Sequence, residues 1–222
     1  MRTHLTAGLV LALLTVFLFS IACRPNAVQT GGASDSSRPE VKRTRPAAAP
    51  LPPTVKRVVD AGLEQTNYTL YYDQGYTKIN YPGGDVPLER GACTDIIIRA
   101  FRKVGVDLQK EVHEDMRRNF NAYPQTWGLK GPDPNIDHRR VPNLRAYFER
   151  QGRSLTITNK SEDYLPGDVV TWDVNGYPHI AMVTNVWSNE AGHYLLVHNM
   201  GHGAKVEDIL FAWPITGHYR YF

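Results

Sequence analysis

Hydrophobic and polar positions alternate in three different rhythms along this chain. Leu5 to Ile21 is an almost unbroken apolar run, and the following thirty or so residues carry almost no large apolar side chain. From Val55 onward the spacing becomes helical. Val55, Val58, Val59 and Leu63 predict a short amphipathic helix over 55–64. Tyr68 to Tyr72 reads as extended, and Tyr81-Pro82-Gly83-Gly84-Asp85-Val86-Pro87 as a tight loop. A helix is predicted from about Cys93 to Val104, stopped by Gly105, and another starts around Val112 to Met116. Prolines make 123–142 loop-like, after which Leu144, Tyr147 and Phe148 predict a helix ended by Gly152. The rhythm then shortens to that of strands. Leu165-Pro166-Gly167-Asp168 turns into Val169 to Trp172; His179 to Trp187 and His193 to Val197 form a hairpin closed by Ser188 to Gly192; Ile215 to Phe222 ends the chain extended. Helices first and an antiparallel sheet second make an α+β domain with segregated layers.

The ends set the organisation. Arg2 followed by the apolar run has the form of an export signal over 1–22. Ser20-Ile21-Ala22 before Cys23 suits either ordinary cleavage or a bacterial lipoprotein signal in which Cys23 is lipidated. The second is expected because it gives Cys23 a purpose. Residues 23–53, rich in Ala, Pro, Ser and Arg, read as a tether with too little apolar surface to order itself, spanning on the order of 30 Å as a flexible coil. Residues 54–222 are of single-domain size and form a core without disulfide help. The net charge of +3 argues against nucleic acid as a partner. A monomer is expected.

Of two cysteines, one is Cys23, so the exported domain keeps a single thiol, Cys93. A lone cysteine is either a small core residue or a reactive group. Its setting, Gly91-Ala92-Cys93-Thr94-Asp95 before Ile96-Ile97-Ile98, puts it in the first turn of a helix. A helix N-terminus contributes roughly 0.3–1 kcal/mol to an anion, less than the ~1.36 kcal/mol of one pKa unit, and Asp95 opposes ionisation. A nucleophilic Cys93 therefore requires a histidine. His179, which opens a strand, is the candidate base. Folding the hairpin about Asn189 or Glu190 brings 198–201 opposite it. His198 and Asn199 face opposite sides of a strand, so one of them orients the imidazole. His113, His138, His202 and His218 read as hydrogen-bonding residues. A zinc site from Asp137, His138, His179 and His198 has no short-spaced ligand pair to support it, and no metal or cofactor is expected.

This order of cysteine at a helix start, histidine on a strand and a polar residue on the next strand resembles the NlpC/P60-type, papain-like cysteine peptidases and amidases. More closely, Tyr81-Pro82-Gly83-Gly84-Asp85, Cys93-Thr94-Asp95, Val112-His113-Glu114-Asp115-Met116, Asn135 to Leu144, Pro166-Gly167-Asp168, Pro178-His179-Ile180, Val197-His198-Asn199 and Ile215 to Tyr221 resemble the bacterial family DUF1287. The resemblance implies a papain-like α+β fold with Cys93 as nucleophile, His179 as base and His198, or else Asn199, as third member. It makes Tyr81 the counterpart of an oxyanion-stabilising tyrosine. Typical NlpC/P60 enzymes read Asp-Cys-Ser-Gly where this chain reads Ala92-Cys93-Thr94-Asp95, so contacts near the thiol are expected to differ. Asp95, His138, Arg139 and Trp172 are the candidate substrate contacts, with the arginine forks suited to carboxylates. The implied function is an exported cysteine hydrolase of the cell envelope that cleaves an amide in peptidoglycan peptides, periplasmic and held at the outer membrane by a lipidated Cys23. Two other classes fit the same residues: a non-catalytic peptidoglycan-binding lipoprotein on a degenerate hydrolase fold, and a thioester acyltransferase.

Overall fold

The computed structural model describes residues 50–222. The export signal, Cys23 and nearly all of the tether lie outside the described residues. Helix α1 (Pro53–Glu64) starts on a proline, whose missing N–H costs nothing in the first turn, and buries Val55, Val58 and Val59 as the spacing predicts. Helix α2 (Cys93–Arg102) is buried from Cys93 to Phe101. Its entry is fixed by Asp95, whose carboxylate accepts the Ala92 N–H at 2.6 Å. Ala92 has no side-chain oxygen to reciprocate, so this is half of a capping box. Gly105, at φ 86°, supplies the left-handed conformation that ends the turn after α2. Helix α3 (Leu108–Asn119) starts four residues before the expected Val112, because Asp107 caps it through the Gln109 N–H. Helix α4 (Val141–Arg150) begins at Val141-Pro142 and ends before Gly152.

The β layer follows. A five-stranded antiparallel sheet has the order β6-β5-β4-β3-β7, from β3 (Val169–Val174), β4 (Tyr177–Ser188), β5 (His193–Asn199), β6 (Ala204–Glu207) and β7 (Ile215–Tyr219). The architecture is α+β, with helices before sheet. A two-stranded parallel pair, β1 (Tyr71–Tyr72) with β2 (Arg90–Gly91), leads the chain into α2. Alternation along the strands divides two cores. Ile180, Met182 and Val197 face the helices and join Val58, Ile97 and Phe101. Ala181, Val183 and Leu196 face the other way with Trp172, Tyr164 and Leu210. The hairpin closes at Ser188–His193, and a register shift between Val183 and Trp187 marks a bulge. Gly203, at φ 83°, makes the β5–β6 turn where a Cβ would press on the carbonyls of Thr69 and Leu70 at 2.7 Å.

Candidate active site

Cys93 enters from the helix face of the sheet. Its approach is fixed by the short parallel pair, and Asn199 holds that pair in place: its side-chain amide donates to the carbonyls of Gly91 at 2.8 Å and Tyr71 at 3.2 Å. Asn199 is thus committed to the strand before the cysteine and not to an imidazole. Pairing of β4 with β5 runs only as far as Met182–Val197. Beyond it the Ile180 amide is free of β5, and it donates toward the Cys93 sulfur together with the amides of Thr94 and Cys93 itself. The sulfur therefore sits beside the peptide that follows His179.

His179 is the third residue of β4, opposite Trp172, rather than its first as the sequence suggested. The strand begins earlier because Tyr177 and Pro178 pair with Val174 and Asp173 across the Asn175-Gly176 turn. By alternation His179 and His198 share the face away from the helices. Cys93 belongs to the core on the helix side of the sheet. His179 Nε2 and His198 Nδ1 are 3.0 Å apart, and His198 Nε2 lies 2.8 Å from Glu207 Oε2. Glu207 is reached because His198 pairs with Lys205 on β6, which places Glu207 diagonally on the same face. The rings of Trp172 and Trp213 wall His179 at 6.0 and 6.4 Å. Among the described residues no hydrogen bond joins the Cys93 sulfur to His179. The unengaged His179 nitrogen is Nδ1.

Burial dominates the electrostatics. It pushes the Cys93 thiol up to about 12, against the three backbone amides and with Asp95 adding to the rise. It holds His179 down to about 3, with His198 adding to the effect. His198 is also lowered by burial, and Glu207 works against that shift. The resting site is a neutral thiol and two neutral imidazoles, not a thiolate–imidazolium pair.

Cys93 opens at the floor of a groove of about 650 Å³. Tyr72, Tyr76, Trp127, Tyr177, Pro178 and Met200 line it. The charged side chains on its wall are Arg139 and Arg140. Arg140 lies over the Trp127 ring at 4.1 Å and reaches Asp137 at 3.3 Å.

The remaining predicted residues are placed as follows. Asp95 and Arg139 are buried against each other, with contacts of 2.9 and 3.0 Å, and the rest of the Arg139 fork donates to the carbonyls of Asp73 and Gly75. Their polar atoms hold the loop over α2 and are not offered to a ligand. His138 is buried away from the groove wall, and burial, with Arg102 and Arg139 nearby, takes it down to about 3. Trp172 is fully buried behind His179 and donates to the Leu210 carbonyl. Tyr81 is exposed and packs on His113 at 5.0 Å, off the groove.

A family model described as a domain of unknown function, DUF1287, matches residues 59–221. The chain belongs to DUF1287. It is 49% identical over 181 residues to the uncharacterized protein YijF of Escherichia coli K12, covering 78% of this chain and 88% of that protein. It is also similar to NlpC1 from Trichomonas vaginalis, with a TM-score of 0.42 and 14% identity over 75% of this chain. It spans 44% of that protein, a likeness too distant to carry an argument.

Two residues of this DUF1287 domain were missed from sequence. Tyr72, not Tyr81, is the tyrosine at the cysteine: it lines the groove and its phenol is pushed up to about 12 by burial and by the neighbouring Cys93 and Asp95. Tyr72 sits opposite Gly91 in the parallel pair, a non-local register that no spacing encodes. Glu207 was missed because β6 was not predicted. Its signal was present in the alternation Ala204-Lys205-Val206-Glu207 after Gly201-His202-Gly203.

Proposed function

We propose that this protein is a cysteine hydrolase that cleaves an amide bond in peptides of the cell-envelope peptidoglycan. The single observation that carries the reading is the His179–His198 hydrogen bond at the strand ends where the Cys93 sulfur takes the Ile180 amide. With thiol and imidazole both neutral, attack and proton transfer occur together. The S–H proton passes to Nδ1 of His179 as the sulfur electron pair forms the S–C bond. The Nδ1 proton then goes to the leaving nitrogen as the C–N bond breaks. Water, deprotonated by His179, attacks the thioester, releasing a carboxylate and restoring the thiol. Tyr72 keeps its proton at neutral pH and is a donor for the oxyanion, with the first-turn amide of Cys93 as a second.

The groove supports a peptide substrate by its volume and aromatic lining. Among the described residues Arg140 is the cation on its wall that is not held by Asp95, which favours substrates bearing a carboxylate. Export, with a lipidated Cys23 at the outer membrane, completes the proposal from the sequence. The experiment is digestion of purified muropeptides by the protein and by Cys93→Ala, read by mass spectrometry. Turnover lost in the variant supports the reading; equal turnover ends it.

One observation favours a second reading, a binding module on a hydrolase scaffold: the buried thiol with its pKa pushed up to about 12. That reading predicts muropeptide binding by both proteins and product from neither. A thioester on Cys93 formed from an acyl donor without hydrolysis would assign transferase chemistry instead.

A further inference from the structure

We propose that Glu207 is a positioning residue that sets the tautomers of both histidines, placing the lone pair of His179 on Nδ1. Donors and acceptors alternate from Glu207 through His198 to His179. An ionised carboxylate only accepts, so the His198 Nε2 that lies 2.8 Å from Glu207 carries the proton. A neutral imidazole has one N–H and one lone pair, so Nδ1 of His198 accepts. The atom 3.0 Å from it, Nε2 of His179, therefore donates, and Nδ1 of His179 is bare. A bare Nδ1 is the state that can accept a proton. Without Glu207, nothing fixes the direction of the His179–His198 bond, and the opposite tautomers place a proton where the base must be empty.

The surroundings leave this task to Glu207 alone. From β6, Lys205 faces His198 directly and disfavours its protonation. From β3 and the segment before β7, Trp172 and Trp213 are neutral. The Glu207 side chain is 47% exposed on a short edge strand, so a surface pair with a histidine contributes little to folding. Its geometric precision is not explained by stability.

The proposal depends on the hydrolase reading for its effect on turnover; the tautomers themselves are read without it. The test is long-range ¹H–¹⁵N NMR of the folded protein labelled at histidine, with His179 and His198 assigned by His179→Gln and His198→Gln spectra. In the wild type both rings are expected to carry the proton on Nε2. In Glu207→Gln, whose amide can either accept or donate, the two rings become tautomer mixtures, and kcat/KM falls on the order of tenfold. Formate added to Glu207→Ala is expected to restore part of that loss. A wild-type His179 protonated on Nδ1, or tautomers unchanged in Glu207→Gln, overturns the proposal. Should neither Glu207 variant fold, the wild-type spectrum alone decides. Turnover surviving in Cys93→Ala would instead sink the hydrolase reading and leave the tautomer result standing.

Discussion

The sheet carries two histidine–carboxylate arrays, each built on a buried histidine, and they end differently. In the first, His218 Nε2 meets Asp168 at 2.9 Å, and Arg220 grips both oxygens of that carboxylate at 2.7 Å. The Leu165 amide also donates to Asp168, His218 Nδ1 lies 3.4 Å from the Thr156 carbonyl, and Tyr164 stacks on the ring at 4.2 Å. Both His218 nitrogens face acceptors and the carboxylate has its cation, so the array ties the turn before β3 to β7. In the second, Glu207 pairs with no arginine among the described residues, and the chain of contacts runs through His198 to His179 and stops at a nitrogen with no partner among the described hydrogen bonds. A histidine beside a carboxylate is thus no mark of chemistry by itself. What distinguishes the candidate site is an acceptor left open at the end of the chain.

That contrast can be broken most forcefully at the cysteine. Cys93→Ala is expected to lower turnover of muropeptides by at least about a thousandfold, since it removes the group that forms the covalent bond. Its melting temperature should move by only a few degrees, as measured by circular dichroism. Next in size is the closed array. Asp168→Ala leaves His218 and Arg220 without their carboxylate and is expected to cost about 3–5 kcal/mol in a urea titration. Turnover per folded molecule should not change. His198→Ala should do the reverse, costing about a hundredfold in kcat with a smaller loss of stability. If both substitutions acted alike, the distinction between the arrays would be lost.

Tyr72→Phe probes the groove side of the cysteine. Losing one oxyanion donor is expected to lower kcat by about a hundredfold, while Tyr81→Phe, off the groove, should leave it unchanged. The smallest effect is on pH. His179 is held down to about 3 in the folded protein against an ordinary 6.5. Above pH 6.5 it is neutral in both states. As pH falls from 6.5 towards 3, the unfolded chain takes up a proton that the folded one does not, so stability is lost across that window. His179→Gln should flatten the fall in melting temperature over the same range, measured by scanning calorimetry.

Much of this was legible in the chain because it is local. The helix at Cys93, the hairpin from His179 to His198 and the opposition of residues near 198–201 to His179 follow from spacing and turn residues. The parity of His198 and Asn199 required that only one orient the imidazole, and the Asn199 amide is engaged elsewhere. What was not legible depends on partners distant in sequence. Asp95 and Arg139 looked like ligand contacts because both carry charge near the motif residues; 44 positions apart, they neutralise each other. Trp172 looked like a groove residue, but its indole donates to Leu210 in the second core. Tyr81 was preferred to Tyr72 as the tyrosine at the cysteine because a parallel pairing of two-residue strands leaves almost no periodic trace. β6 is short and lies at the sheet edge, so the carboxylate that closes the array came with it unseen.

The most direct measurement is isotope incorporation during turnover. Purified muropeptides are incubated with the protein in H₂¹⁸O, and the products are analysed by mass spectrometry. One ¹⁸O in the new carboxylate, seen with the wild type and absent with Cys93→Ala, is the result this account predicts. Labelled product formed equally by both would contradict it.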